Sequence, residues 1–339
     1  MMRTKMNMRV VFWLVSLFLC VTTVSVQAAD KIVIKATSIQ MPTQNIGEGL
    51  MKLKANIEAK LPGRVDVRAY HSAQLYTQTE EIAALSRGEI QMAAVIGTGS
   101  LPIISPIFQV IELPGMFPSK EVFMKVIQGP TGKELWAQCE KKNIKVVSLW
   151  EAGRTQISNR KGIEIKLPKD SMNLKIRPAG KTYAALLEAW GAMSVNIASE
   201  EQYSALQQGV MDGIFTAVRI IHERKLYENL TNLTDLGYLV TRCTGILANN
   251  KWYNSLQPDV RNAVEKAALE AAESMGAVVD QDDEAAFKAI AGSGTKVYRI
   301  PEKDFKIWQE AGRKVWPKLS EKIGREWVDK FVQASDKTR

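Results

Sequence analysis

The sequence predicts an α/β protein of two lobes with a hinge, a cleft between the lobes, and long C-terminal helices that bridge them. Three observations predict it. Strand-like and helix-like stretches alternate from Lys31 to Trp150. The same alternation begins again after Arg154. Helical periodicity then runs from Pro258 to Ile290 and from Phe305 to Val332, long enough to reach across two lobes. Alternation of this kind builds sheets covered by helices, and 339 residues suit two such units. A hydrophobic share of 46% with 24% charged residues excludes a disordered chain. Mixed polarity without long repeats excludes collagen, a coiled coil and a multi-pass membrane protein.

The first 28 residues read as a secretory signal peptide. Arg3, Lys5 and Arg9 are followed by an apolar run from Val10 to Val21, and Val26-Gln27-Ala28 offers small residues for cleavage after Ala28. The run is shorter than the ~20 apolar residues needed to span a bilayer. Cys20 follows Leu17-Phe18-Leu19, which lacks the small neighbour of a lipidated cysteine. Cleavage removes three basic residues and no acidic one, so the +9 chain becomes +6. Its basic residues are dispersed, which points to a solvated surface biased toward anionic ligands and not to nucleic acid. Cys139 and Cys243 remain, and export permits a disulfide that nothing local dictates.

In the first lobe, Lys31–Ala36 is rich in β-branched residues and reads as a strand. Ile46, Leu50, Leu53, Ile57 and Leu61 recur on one helical face, which ends at Pro62-Gly63. Val65 and Val67 alternate with charged residues as a second strand. Thr77–Arg87 is a helix stopped by Gly88, and Ile90–Ile96 is an apolar strand buried on both faces. This order predicts a largely parallel sheet. Pro102–Pro118 carries Ile107, Phe108, Leu113 and Phe117, so it must pack. Ser119–Lys142 is helical and split at Gly129-Pro130; Lys145–Trp150 is a strand.

In the second lobe, Leu174–Arg177 is a strand, Thr182–Trp190 and Glu200–Gln208 are helices ended by glycine, and Met211–Phe215 begins a strand. Strand character returns over Gly237–Leu247, and Pro317 is expected to kink or split the last long helix. The lobes are assigned as 29–152 with about 246–285, and 153–245 with about 286–339. Ligands in such folds sit at the carboxyl ends of strands, where Arg154 and Arg177 fall.

Several segments carry a more specific pattern. Pro62-Gly63-Arg64-Val65-Asp66-Val67 with Gln74-Leu75, Leu113-Pro114-Gly115-Met116-Phe117, Leu174-Lys175-Ile176-Arg177-Pro178 and Glu201–Gly213 (EQYSALQQGVMDG) resemble the DctP-type solute-binding subunit of tripartite ATP-independent periplasmic (TRAP) transporters. In the last of these only Gln202 and Met211 depart from the pattern. The resemblance spans Pro62 to Gly213, and the long helices beyond it fit the family's architecture. It implies a periplasmic-binding-protein-like fold, a periplasmic location, no cofactor, and a monomer that delivers an organic acid anion to small and large membrane subunits.

The resemblance also implies residue roles. The family arginine that grips the ligand carboxylate maps onto Arg177, whose planar fork matches a carboxylate. A second family arginine maps onto Arg154, with Arg160 as a nearby competitor. The pocket is further expected to include Ile39, Ile96, Trp150, Ser199, Phe215 and Thr216. Thr216 stands where the family often has a ligand-contacting asparagine, and Ser199 where sialic-acid binders place a phenylalanine. Ile39 and Ile96 replace polar side chains of those members. These departures argue against sialic acid and for a compact organic acid, mono- or dicarboxylic. A ligand sensor feeding a receptor or kinase would share the same fold. An enzyme is not expected: two histidines, His71 and His222, and the absence of G-x-S-x-G, H-E-x-x-H or a Cys-His pair leave little catalytic chemistry. Gly97-Thr98-Gly99 lacks the glycine and lysine of a phosphate loop.

Overall fold

The computed structural model describes residues 31–198 and 201–338. Its strands, in chain order, are β1 (Ile32–Thr37), β2 (Val65–Tyr70), β3 (Met92–Ile96), β4 (Ile144–Glu151), β5 (Thr155–Asn159), β6 (Lys175–Pro178), β7 (Met193–Ser194), β8 (Gly213–Ala217), β9 (Asn232–Asp235), β10 (Cys243–Asn249) and β11 (Lys296–Arg299). They form two sheets, ordered β2-β1-β3-β10-β4 and β11-β9-β5-β8-β6-β7. The first is mixed and not largely parallel, because β10 returns from the second lobe and runs antiparallel to β3 and β4. In the second, β5 lies antiparallel to both β8 and β9.

The central strands of the first sheet are apolar on both faces because each face meets a different core. Ala93 and Val95 of β3 join one hydrophobic cluster, while Met92 and Ala94 join another. Cys243 and Leu247 of β10 likewise point opposite to Ile246 and Ala248. This follows from the two-residue period of a strand covered by helices on each side. Helix α1 (Asn45–Lys60) buries the expected stripe of Ile46, Leu50, Leu53 and Ile57. Helix α2 (Gln78–Arg87) opens on a Thr77–Glu80 capping box and closes on Gly88 at φ +83°, a left-handed geometry that favours glycine.

The Pro102–Pro118 region packs as the sequence requires. It consists of α3 (Gly97–Ile104) and a 3-10 helix over Pro106–Glu112. Gly129 separates α4 (Lys120–Gln128) from α5 (Pro130–Glu140). The second lobe adds α6 (Lys181–Ala189), α7 (Gln202–Gln208) and α8 (Val218–Glu223). After α9 (Asn250–Ser255), α10 (Pro258–Gly292) runs 35 residues, about 50 Å at a helical rise. Val260 to Val279 pack with the first-lobe core, whereas Ala286, Phe287 and Ile290 pack with the second.

Two further sequence expectations are corrected. Residues 236–242 are not a strand; β9 lies before them and β10 after them. Strands β5, β9 and β11, four or five residues each, were too short to show a period. The last long helical pattern is split next to Pro317 as expected, and again at Gly324, giving α11 (Glu302–Arg313), α12 (Trp316–Ile323) and α13 (Arg325–Thr338); Pro317 sits in the first turn of α12, where its missing N–H costs nothing. Finally, the C-terminal segment does not stay with the second lobe. Phe331 of α13 packs edge-on against Phe117, and the Ser335 hydroxyl donates to the Met116 carbonyl at 2.9 Å. Its apolar stripe finds the exposed side of the first lobe's helices. Cys139 and Cys243 are both free thiols, buried in one core cluster.

Candidate functional site

The carboxyl ends of β1, β3, β6 and β8 converge on one cavity of about 520 Å³ between the sheets. Each of these strands hands over to a turn or helix there, which frees main-chain groups and side chains to face a ligand. The first lobe contributes Ile39, Gln44, Asn45, Ile96 and Thr98; the second contributes Arg177, Ala179, Gln202, Thr216 and Glu223. Arg242 and Thr244, at the start of β10, complete the wall.

Arg177 sits near the end of β6, half-buried. Its Nε donates to the Ile197 carbonyl at 3.2 Å. With its amide turned so that oxygen faces the guanidinium, buried Gln202 accepts from Nε at 3.3 Å and from Nη1 at 3.2 Å. Burial and the neighbouring Arg224 both push the Arg177 guanidinium below its ordinary range. It stays charged, but in an environment that a bound anion would relieve.

Among the described residues four arginines line the cavity, Arg177, Arg219, Arg224 and Arg242, against one carboxylate, Glu223. Arg219 is committed to the protein: its Nε lies 3.3 Å from Asp283, its Nη1 3.5 Å from Asp282, and its Nη2 donates to the Ala152 carbonyl at 3.3 Å. Behind the wall, burial raises Glu112 to about 8 and Glu151 to about 7. Thr182 donates to Glu112 at 3.3 Å. Among the described residues no group of His, Cys, Asp and Glu could hold a metal ion.

The sequence-derived residues divide by position. Arg177, Ile39, Ile96 and Thr216 line the cavity. Phe215 is fully buried beneath it, edge-on to Tyr183 at 4.7 Å and stacked on Trp190 at 5.7 Å. Trp150 is buried too, and its Nε1 donates at 3.1 Å to Asn45, a lining residue. Both support the wall without facing the cavity. Ser199 lies outside the described residues.

Arg154 is displaced from its expected place. Gly153 turns the chain at φ +92°, and the Arg154 guanidinium pairs with Asp235 at 3.1 Å and with Glu284, over the Phe287 ring. It lines a separate surface cleft with Lys120, Tyr238 and Asp280. Acidic side chains on β9 and α10 draw it there, and those partners are remote in sequence. Arg160 follows Asn159, the end of β5 that pairs with Gly213, away from the cavity. Sequence reasoning missed Arg219, Arg224 and Arg242, which no motif marks. Gln202 did leave a signal: it is one of the two departures from the Glu201–Gly213 pattern, and it touches Arg177.

Comparison with known proteins agrees with this architecture. Residues 37–322 match the family model for bacterial extracellular solute-binding protein, family 7 (DctP). The C4-dicarboxylate-binding periplasmic protein DctP of Rhodobacter capsulatus is 31% identical over 307 residues, 88% of this chain and 90% of the relative. A TRAP periplasmic solute-binding protein from Ochrobactrum anthropi, with its C-terminus in the ligand pocket, superposes at a TM-score of 0.83, 24% identical over 91% of this chain and 96% of its own. One from Sulfurospirillum deleyianum with bound succinate gives 0.77, at 27% identity over 90% and 99%. The chain belongs to family 7 of the bacterial extracellular solute-binding proteins, the DctP family, and is a binding protein of transporters, not an enzyme.

Proposed function

We propose that this protein captures a small organic acid anion in its interlobe cavity and delivers it to the small and large membrane subunits of a TRAP transporter. The observation that carries the reading is Arg177: a guanidinium oriented by Ile197 and Gln202 at the carboxyl end of β6, in a cavity with a surplus of arginine. The R. capsulatus relative is named for C4-dicarboxylate binding and the S. deleyianum protein holds succinate, which supports a carboxylate here. Ile39, Ile96 and Ile220 in the lining favour a compact acid over a polyhydroxylated sugar.

In this reading the acid enters the open cleft and Arg177 pairs with its carboxylate. The lobes then close by bending where the chain crosses between them. Closure removes water and strengthens the ion pair, and the closed form is what the membrane subunits receive. Identification of the small molecule released from the purified protein on unfolding, by mass spectrometry, tests the reading. An organic acid is expected; a neutral sugar or an amine that no acid displaces would overturn it.

The protein acts as a monomer in the periplasm after cleavage following Ala28. An intact mass beginning at Ala29 is expected for the exported protein. A mature species that keeps Met1 to Val21 would contradict cleavage.

A further inference from the structure

We infer that Arg242 is a second anchor in the cavity, taking a second anionic end of the ligand opposite the carboxylate held by Arg177. The inference rests on the carboxylate reading above and adds the residue that distinguishes two-ended from one-ended acids.

Arg177 enters the cavity from the second sheet, whereas Arg242 immediately precedes β10, a strand of the first sheet. One solute held by both would therefore tie the lobes together. Arg219 cannot fill the role as well, because Asp282 and Asp283 already face it. Arg242 differs. Among the described residues it has no acidic partner at ion-pair distance; its Nη2 donates to the Ala152 carbonyl, and its Nε is buried without a hydrogen-bond partner.

The acids behind it do not neutralise it fully. Burial raises each of the three acids whose charge reaches it, Glu112 to about 8, Glu151 to about 7 and Asp283 to about 6, which weakens their hold on it. Thr244 lies two residues on, the spacing that returns a strand to the same face. It lines the same cavity, only 3% exposed, and its hydroxyl lacks a partner. A cation with no described acid at ion-pair distance, beside an unused hydroxyl, is a subsite for oxygen acceptors carrying negative charge.

Calorimetry on the mature protein tests this with acids matched in chain length: succinate against butyrate, and glutarate against valerate. The wild type should prefer the two-ended acid by about 30-fold or more in dissociation constant, as expected for a desolvated charge pair. Arg242→Gln should cut that preference at least tenfold. Arg154→Gln, in the separate cleft, should leave it unchanged. If Arg242→Gln fails to fold because Glu112 and Glu151 need its charge, Arg242→Lys and Thr244→Val carry the comparison, and each should reduce the preference. A wild type that binds one-ended acids equally well, or variants that keep the wild-type ratio, would overturn the inference alone. A wild type that binds no acid of either kind would overturn the carboxylate reading with it.

Discussion

Arg177→Ala should bind an organic acid at least about 30-fold more weakly than the wild type. Truncating one member of a desolvated charge pair costs about 2–5 kcal/mol of binding. Within the protein the guanidinium donates to the Ile197 carbonyl and to the Gln202 amide oxygen, which hold its fork toward the cavity. Burial and Arg224 together disfavour its charge in the ligand-free protein. Arg177→Lys should also bind poorly, because one ammonium cannot reproduce a two-pronged fork. Gln202 positions that fork. Titration calorimetry on the folded variants decides the matter. Wild-type affinity in Arg177→Ala would mean that the site lies elsewhere.

Asp283→Ala should lose about 3–5 kcal/mol of folding stability, the cost of breaking a buried ion pair from one side. Asp283 is fully buried on α10. One oxygen accepts from the Arg154 main-chain N–H at 2.6 Å, and the other lies 3.3 Å from the Arg219 Nε. Removing the carboxylate leaves the buried Arg219 charge only the half-exposed Asp282 and the Ala152 carbonyl, beside the segment where the chain passes between the lobes. Asp283→Asn should cost less, because its amide oxygen can still accept from Arg154. Denaturant unfolding of the three proteins gives the ranking. An alanine variant within about 1 kcal/mol of the wild type would show that Arg219 finds other partners. Gly153 belongs to the same device: a Cβ there would sit 2.9 Å from both Asp283 oxygens.

The class of the fold, most helices and one cavity-lining arginine, Arg177, were legible from the residues alone. Period and punctuation carry that information locally. The stripe from Ile46 to Ile57 and the stops at Gly63, Gly88 and Gly129 need no distant partner to be read. Arg177 was legible because its neighbours form a local motif. The short strands β5, β9 and β11 were not, since strands of four or five residues are defined by the sheet they join and not by their own pattern. The antiparallel return of β10 also escaped, because chain direction within a sheet is set by the long crossing that brings the strand back.

Charge placement divides in the same way. The sequence by itself determined that an α/β protein would present a guanidinium at a strand's carboxyl end. Which of its other arginines line the cavity was decided only in three dimensions. Arg154 is drawn aside by Asp235 and Glu284, Arg219 is held by Asp282 and Asp283, and Arg242 has no acid at ion-pair distance among the described residues. These partners lie tens of residues or more away along the chain. An ion pair depends on distance and burial, which follow from packing and not from sequence spacing.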